Sequence, residues 1–208
     1  MEVPVAGADR RDSGVYAVVF TFLLTFAIVT VVSATYAATR TLEERNETRL
    51  RQMAVLRALG VPVPAGAGYG EVARAYDAIR ADDGYRFHGA AGEVVGRTFR
   101  GPGVWGEIHG VLGVQTNDLR ITGVEILRHS ETPGLGGRIA SQWFLEQFRG
   151  ERIHAGGITV AIRGPGNRDP EDGTVDGIAG ATGTTRAFDR ILQRELSGLI
   201  GSVTGEEG

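Results

Sequence analysis

The sequence contains no cysteine and no lysine. Without cysteine there can be no disulfide, no iron–sulfur cluster and no thiolate chemistry. A thiol-free chain suits an extracytoplasmic domain without demonstrating one. All 22 basic residues are arginine, a usage that reads as genome composition rather than function. Net charge is also small, −3 over 208 residues, which offers no electrostatic handle on nucleic acid. The four histidines, His88, His109, His129 and His154, lack the spacing of metal ligands. No nucleophile paired with a base, no acid–base pair and no metal site stands out, so a self-sufficient catalytic centre is not expected.

What the chain does have begins at its N-terminus. Residues 1–12 form a short polar tail, followed over residues 13–39 by a run with no charged residue. As a helix that run would cover roughly 40 Å, more than the ~30 Å hydrocarbon core of a bilayer, and one transmembrane helix is predicted. The small residues between Ala34 and Ala38 resemble a signal-peptide cleavage region, but the apolar run is too long for a signal core. Arginines lie on both flanks, Arg10 and Arg11 before and Arg40, Arg45, Arg49 and Arg51 after. Taken alone, the excess of positive charge after the span weakly favours a cytoplasmic C-terminal domain.

Residues 40–60 read as a charged juxtamembrane helix with Leu42, Leu50, Met53, Leu56 and Leu59 apolar, ending at Gly60. A Pro/Gly-rich linker covers residues 61–70, and a short helix over 71–80 turns Val72, Ala75, Tyr76 and Ile79 inward. A strand is expected over residues 92–99. A second, over 104–115, pairs through the Thr116–Asn117–Asp118 turn with a third over 120–127. A helix over 139–148, a strand region over 153–163 and a loop over 164–172 complete the middle of the chain. Strands followed by segregated helices predict an α+β domain with a largely antiparallel sheet and flanking helices.

Two loops carry the candidate chemistry. The first is DGIAGATGTT at residues 176–185, which places Asp176, Gly180, Ala181 and the hydroxyls of Thr182, Thr184 and Thr185 just before an amphipathic helix over 186–199. Free N–H groups and the positive dipole end at a helix start stabilise an anion, a phosphate above all. The plain alternative is a loop ending in an N-cap. Asp176 itself fits an Asx-turn that fixes the loop. The second loop is ETPGLGG at 131–137, with Glu131, Thr132, Pro133, Gly134, Leu135 and Gly136. It is either a simple Thr-Pro-Gly turn or a cradle of backbone N–H groups. Trp105, on the expected strand, is either core or a flank to whatever binds.

Three segments in this order, GPGVWGEIHG at 101–110, ETPGLGG at 131–137 and DGIAGAT at 176–182, resemble the NqrC/RnfG family. That family comprises covalent-FMN-binding subunits of the Na+-translocating NADH:quinone oxidoreductase and of the Rnf electron-transport complex. The resemblance implies that residues 71–204 form an FMN-binding domain on the periplasmic side of the cytoplasmic membrane, held by a single-pass helix. It implies FMN joined through its phosphate to Thr182, with Thr184 the nearest competing acceptor, and a separate flavin transferase that makes the ester. It further implies electron relay within an ion-translocating complex, with integral-membrane subunits and membrane lipid as partners. The 131–137 loop, Trp105 and Asp176 would then serve cofactor placement or the transferase. One departure stands at Ala179, where the family usually has Ser or Thr. It keeps open a flavin-free assembly module, beside a third reading as a non-covalent phosphate binder.

Overall fold

The computed structural model describes residues 14–162 and 169–204, leaving the tail and most of the 164–172 loop outside the described residues. The chain divides into two units, Met1–Glu47 and Thr48–Gly208. In the first, α1 (Gly14–Ala58) begins and exposes Val18, Phe22, Phe26, Val29, Val32 and Tyr36 along its length. It is the one helix among the described residues long and apolar enough to cross a membrane. Thr30, Thr35 and Thr39 donate their hydroxyls back to the carbonyls of Phe26, Val31 and Thr35 at 2.7, 2.9 and 3.0 Å. Polar side chains satisfied within their own helix are what a hydrocarbon environment requires.

The second unit is built on an antiparallel meander in sequence order: β1 (Arg80–Ala81), β2 (Gly84–Gly89), β3 (Gly92–Pro102), β4 (Glu107–Gln115) and β5 (Arg120–Arg128). Its β4–β5 hairpin follows the expected pairing, with Gln115 opposite Arg120. On one face lie α3 (Gln142–Glu146) and α4 (Thr182–Thr204), where Phe144, Phe148, Phe188, Ile191, Leu192 and Leu196 meet Phe99, Ile108 and Leu112. Phe188 sits at the centre of an aromatic cluster, 5.5 Å from the Phe144 ring and 5.9 Å from that of Phe148. On the other face Val55, Leu56 and Leu59 at the end of α1, with Val72 of α2 (Tyr69–Ala78), pack against Val94 and Val111. A parallel pair, β6 (Thr159–Ala161) and β7 (Thr174–Asp176), leads into α4.

The antiparallel α+β architecture is the one expected; several local features differ. The expected strand over 104–115 starts only at Glu107, because residues 103–106 form the β3–β4 turn, closed by the Gly103 N–H donating to the Gly106 carbonyl at 2.8 Å. Within β4 every residue from Gly110 to Val114 is buried, so the expected alternation is lost. The cause is cover on both faces, which removes the inside–outside difference that makes alternation visible. Strand β2 has no counterpart among the expected elements: Tyr85, Phe87 and His88 sit on a half-exposed strand with little apolar periodicity. The helix expected over 139–148 is a 3₁₀ turn at Gly136–Ala140, broken at Ser141, and then the short α3. Within that span Phe144 and Phe148 are buried, while Trp143 is 51% exposed. Among the described residues of the expected 153–163 strand region, only Thr159–Ala161 pairs as a strand. Most relevant to the site, α4 begins at Thr182 rather than at 186.

Candidate functional site

Three connections meet beside the N-terminus of α4: the β3–β4 turn, the loop after β5 and the loop from β7. Together they line an open pocket of about 180 Å³, formed by Val104, Trp105, Glu131, Thr132, Leu135, Gly136, Gly180, Ala181, Thr182, Gly183 and Thr184. Segments separated by up to 80 positions thus converge on one spot.

The three hydroxyls differ sharply in their surroundings. Thr185 is buried, and its Oγ1 accepts the Ile178 N–H at 3.1 Å, which ties the loop to the helix. Thr184 is buried as well, and its hydroxyl donates to Glu131 Oε2 at 2.6 Å. Thr182 is exposed on the pocket wall, and no side-chain hydrogen bond engages it among the described residues. Gly180 turns the chain into the helix with φ +80°, a conformation that favours glycine. The first backbone bond of α4 runs from the Thr185 N–H to the Ala181 carbonyl at 2.9 Å. The N–H groups of Thr182, Gly183 and Thr184 therefore have no backbone acceptor among the described residues. Three donors without acceptors at the positive end of a 23-residue helix are an arrangement suited to an anion.

Glu131 is the buried centre of this arrangement, only 3% exposed. Its Oε1 accepts the N–H groups of Val104 at 2.8 Å and Trp105 at 3.1 Å, while Oε2 takes the Thr184 hydroxyl. Burial pushes its pKa up, but the bonds from Thr184, Trp105 and Val104 and the nearby His129 outweigh that and hold the carboxyl below its usual range. The carboxylate sits in a slot made by two glycines. A Cβ at Gly103 would collide with Oε1, and one at Gly136 would lie 2.8 Å from Oε2 and run into the Thr184 hydroxyl. A larger residue at either place would force the Glu131 carboxylate or its neighbours to shift.

Of the residues expected at the site, Thr182, Thr184, Gly180, Ala181, Glu131, Thr132, Leu135, Gly136 and Trp105 line the pocket. Trp105 is 71% exposed at the tip of the β3–β4 turn, which excludes the core alternative for it. Pro133 and Gly134 are exposed on the outer turn of their loop and do not reach the pocket wall. Asp176 and Thr185 lie behind it. Asp176 is buried in β7, with its backbone held by the Gln147 side chain, which accepts its N–H at 2.9 Å and donates to its carbonyl at 3.3 Å. Gly183, a glycine whose lack of a side chain lets another group come close to the backbone, also lines the pocket, as does Val104, which was not singled out because a valine beside a tryptophan carries no distinctive pattern. Ala179 is exposed, so its missing hydroxyl leaves no buried group unpaired.

Comparison with known proteins shows what the chain is similar to. Residues 103–197 match the FMN-binding domain family. The NqrC protein of the Na(+)-translocating NADH-quinone reductase from Haemophilus ducreyi is 32% identical over 94 residues, covering 45% of this chain and 37% of that protein. Its counterpart in Chlamydia trachomatis is 32% identical over 116 residues, covering 44% and 36%. The matched region thus spans little more than a third of these relatives. Among solved structures, NqrC from Parabacteroides distasonis superposes with a TM-score of 0.63 at 23% identity, covering 79% of this chain and 96% of that one. NqrC from Shewanella oneidensis gives 0.60 at 19% identity, covering 79% and 100%. These two likenesses establish the fold.

Proposed function

We propose that this relative of the NqrC/RnfG family carries FMN as a phosphoester on Thr182 and relays electrons within a membrane-bound, ion-translocating oxidoreductase complex. The observation that carries the reading is the exposed Thr182 hydroxyl at the start of α4, beside three backbone N–H groups without acceptors. An ester phosphate on Thr182 would meet those donors directly. The pocket, at about 180 Å³, is smaller than the ~300–1,000 Å³ of sites that enclose a ligand. Burial alone would hold a flavin weakly here, and a covalent anchor supplies the retention that enclosure does not.

When bound, FMN supplies the redox chemistry, and the chain supplies placement and electrostatics. Gly180, Ala181 and Gly183 keep the approach to the phosphate open, since none projects more than a methyl group. Trp105, Val104 and Leu135, all about half exposed or more, offer the apolar rim against which a flat ring can rest. Glu131 turns both its oxygens inward to donors, so its charge is spent on the protein rather than set against the phosphate. We assign the partners as integral-membrane subunits of the complex, together with a flavin transferase that forms the ester. The soluble unit lies on the extracytoplasmic side, with the uncharged stretch of α1 up to residue 39 in the lipid.

The test is retention of flavin through denaturation. After co-expression with a flavin transferase, the denatured protein band should fluoresce under ultraviolet light. A dark band, with flavin released into the acid supernatant, would leave only a non-covalent binder or a flavin-free module.

A further inference from the structure

We infer that Glu131 is a positioning residue that decides which threonine receives the flavin, by locking the Thr184 hydroxyl away from the transferase. This rests on the proposed esterification. In that reaction the acceptor hydroxyl oxygen attacks the FMN-side phosphorus of a flavin dinucleotide. The new P–O bond forms as the phosphoanhydride bond breaks, the hydroxyl proton is lost, and a nucleoside monophosphate leaves. No electron changes hands. The acceptor must therefore offer an accessible oxygen and give up its proton.

Thr182 and Thr184 are chemically identical and two positions apart, each in the first turn of α4. They differ in what surrounds them. The Thr184 hydroxyl is committed to a buried carboxylate at 2.6 Å, in a slot closed by Gly103 and Gly136. A hydrogen bond to a charged, desolvated acceptor is among the stronger kinds, and breaking it would strand both partners. Thr182 carries no such tie. The same carboxylate holds the Val104 and Trp105 N–H groups, so the pocket rim and the first turn of α4 are fixed through one side chain. Glu131 contacts neither the pocket's exposed hydroxyl nor, on this reading, the phosphorus; it acts through Thr184.

The experiment is peptide mass mapping of the full chain co-expressed with a flavin transferase. Four proteins are compared: wild type, Thr182→Ala, Thr182→Ala/Glu131→Ala and Thr182→Ala/Glu131→Gln. FMN is expected at position Thr182 in wild type and at most as a trace at Thr184 in Thr182→Ala. In the double variants FMN reappears at Thr184, a rise of about 10- to 100-fold, the factor carried by a hydrogen bond to a charged group. The glutamine variant keeps the side-chain volume and one acceptor oxygen for Val104 and Trp105, so it guards against loss of the fold. A merely structural Glu131 would leave Thr184 bare in both double variants. Double variants that unfold cooperatively at wild-type temperature yet carry no FMN at Thr184 would overturn the inference. Absence of covalent FMN from wild type would instead refute the proposed function.

Discussion

Glu131 shows how a single buried charge becomes tolerable. Left unpaired, a carboxylate 3% exposed would be strongly disfavoured. Here three donors satisfy it and hold its pKa below the ordinary value of 4.5, against the upward pull of burial. A depressed folded-state pKa means that the unfolded chain binds the proton more readily. The stabilisation is therefore full above about pH 4.5 and drains away as pH falls through the lowered value. Glu131→Gln should cost about 1–3 kcal/mol near neutrality, and the gap to wild type should narrow below that carboxylate range. Thermal unfolding followed by circular dichroism across pH checks this; a gap that widens on acidification would show the charge to be a burden. At this scale the run of small and hydroxyl residues before the helix was legible in the sequence, because Gly180, Ala181 and Thr182 sit just ahead of an apolar stripe, whereas the choice of Thr182 as the proposed acceptor came from the family resemblance. The Glu131–Thr184 bond was not legible, since it joins positions 53 apart and no periodicity marks such a pair.

Between elements, the decisive contacts are those that let backbone approach backbone. The end of α1 lies so close to the sheet that a Cβ at Gly113 would collide with both the Ala58 carbonyl oxygen and the Thr122 hydroxyl. That hydroxyl itself donates to the Ala58 carbonyl at 2.7 Å. Gly113→Ala should therefore destabilise the soluble unit by about 1–3 kcal/mol through overpacking, although alanine suits a strand at least as well as glycine. Chemical denaturation of the two proteins measures it, and unchanged stability would mean that the helix end shifts freely. The same packing explains which elements could be read in advance. Helix α4 is marked in the sequence because one face is buried and the other solvated, with Phe188, Ile191 and Leu192 inside. Its true start lies four residues ahead of the expected one because Thr182, Gly183, Thr184 and Thr185 are weak helix formers. Their helical state is fixed by the Glu131 and Ile178 bonds instead. Strand β4 lost its alternation to cover on both faces, and α3 is too short to show a helical period.

The whole molecule combines an apolar α1 with a unit that presents one hydroxyl beside free N–H groups. The arginines after the span argue weakly for a cytoplasmic domain, whereas the family reading requires the opposite. Reporters active on only one side of the membrane, fused after Gly208, should report the extracytoplasmic side; activity confined to a cytoplasm-only reporter would reverse the orientation. The long apolar helix was legible because its uncharged run reaches a length, set by hydrocarbon thickness, that few soluble helices meet. Sidedness was not, because the two flanks carry the same kind of charge. The proposed electron relay depends on what Thr182 bears. The most direct measurement is the intact mass of the full chain and of Thr182→Ala, each co-expressed with a flavin transferase and denatured before analysis. The expected result is a mass increment of one esterified FMN on the wild type and none on a folded Thr182→Ala protein. An equal increment on both would contradict the assignment.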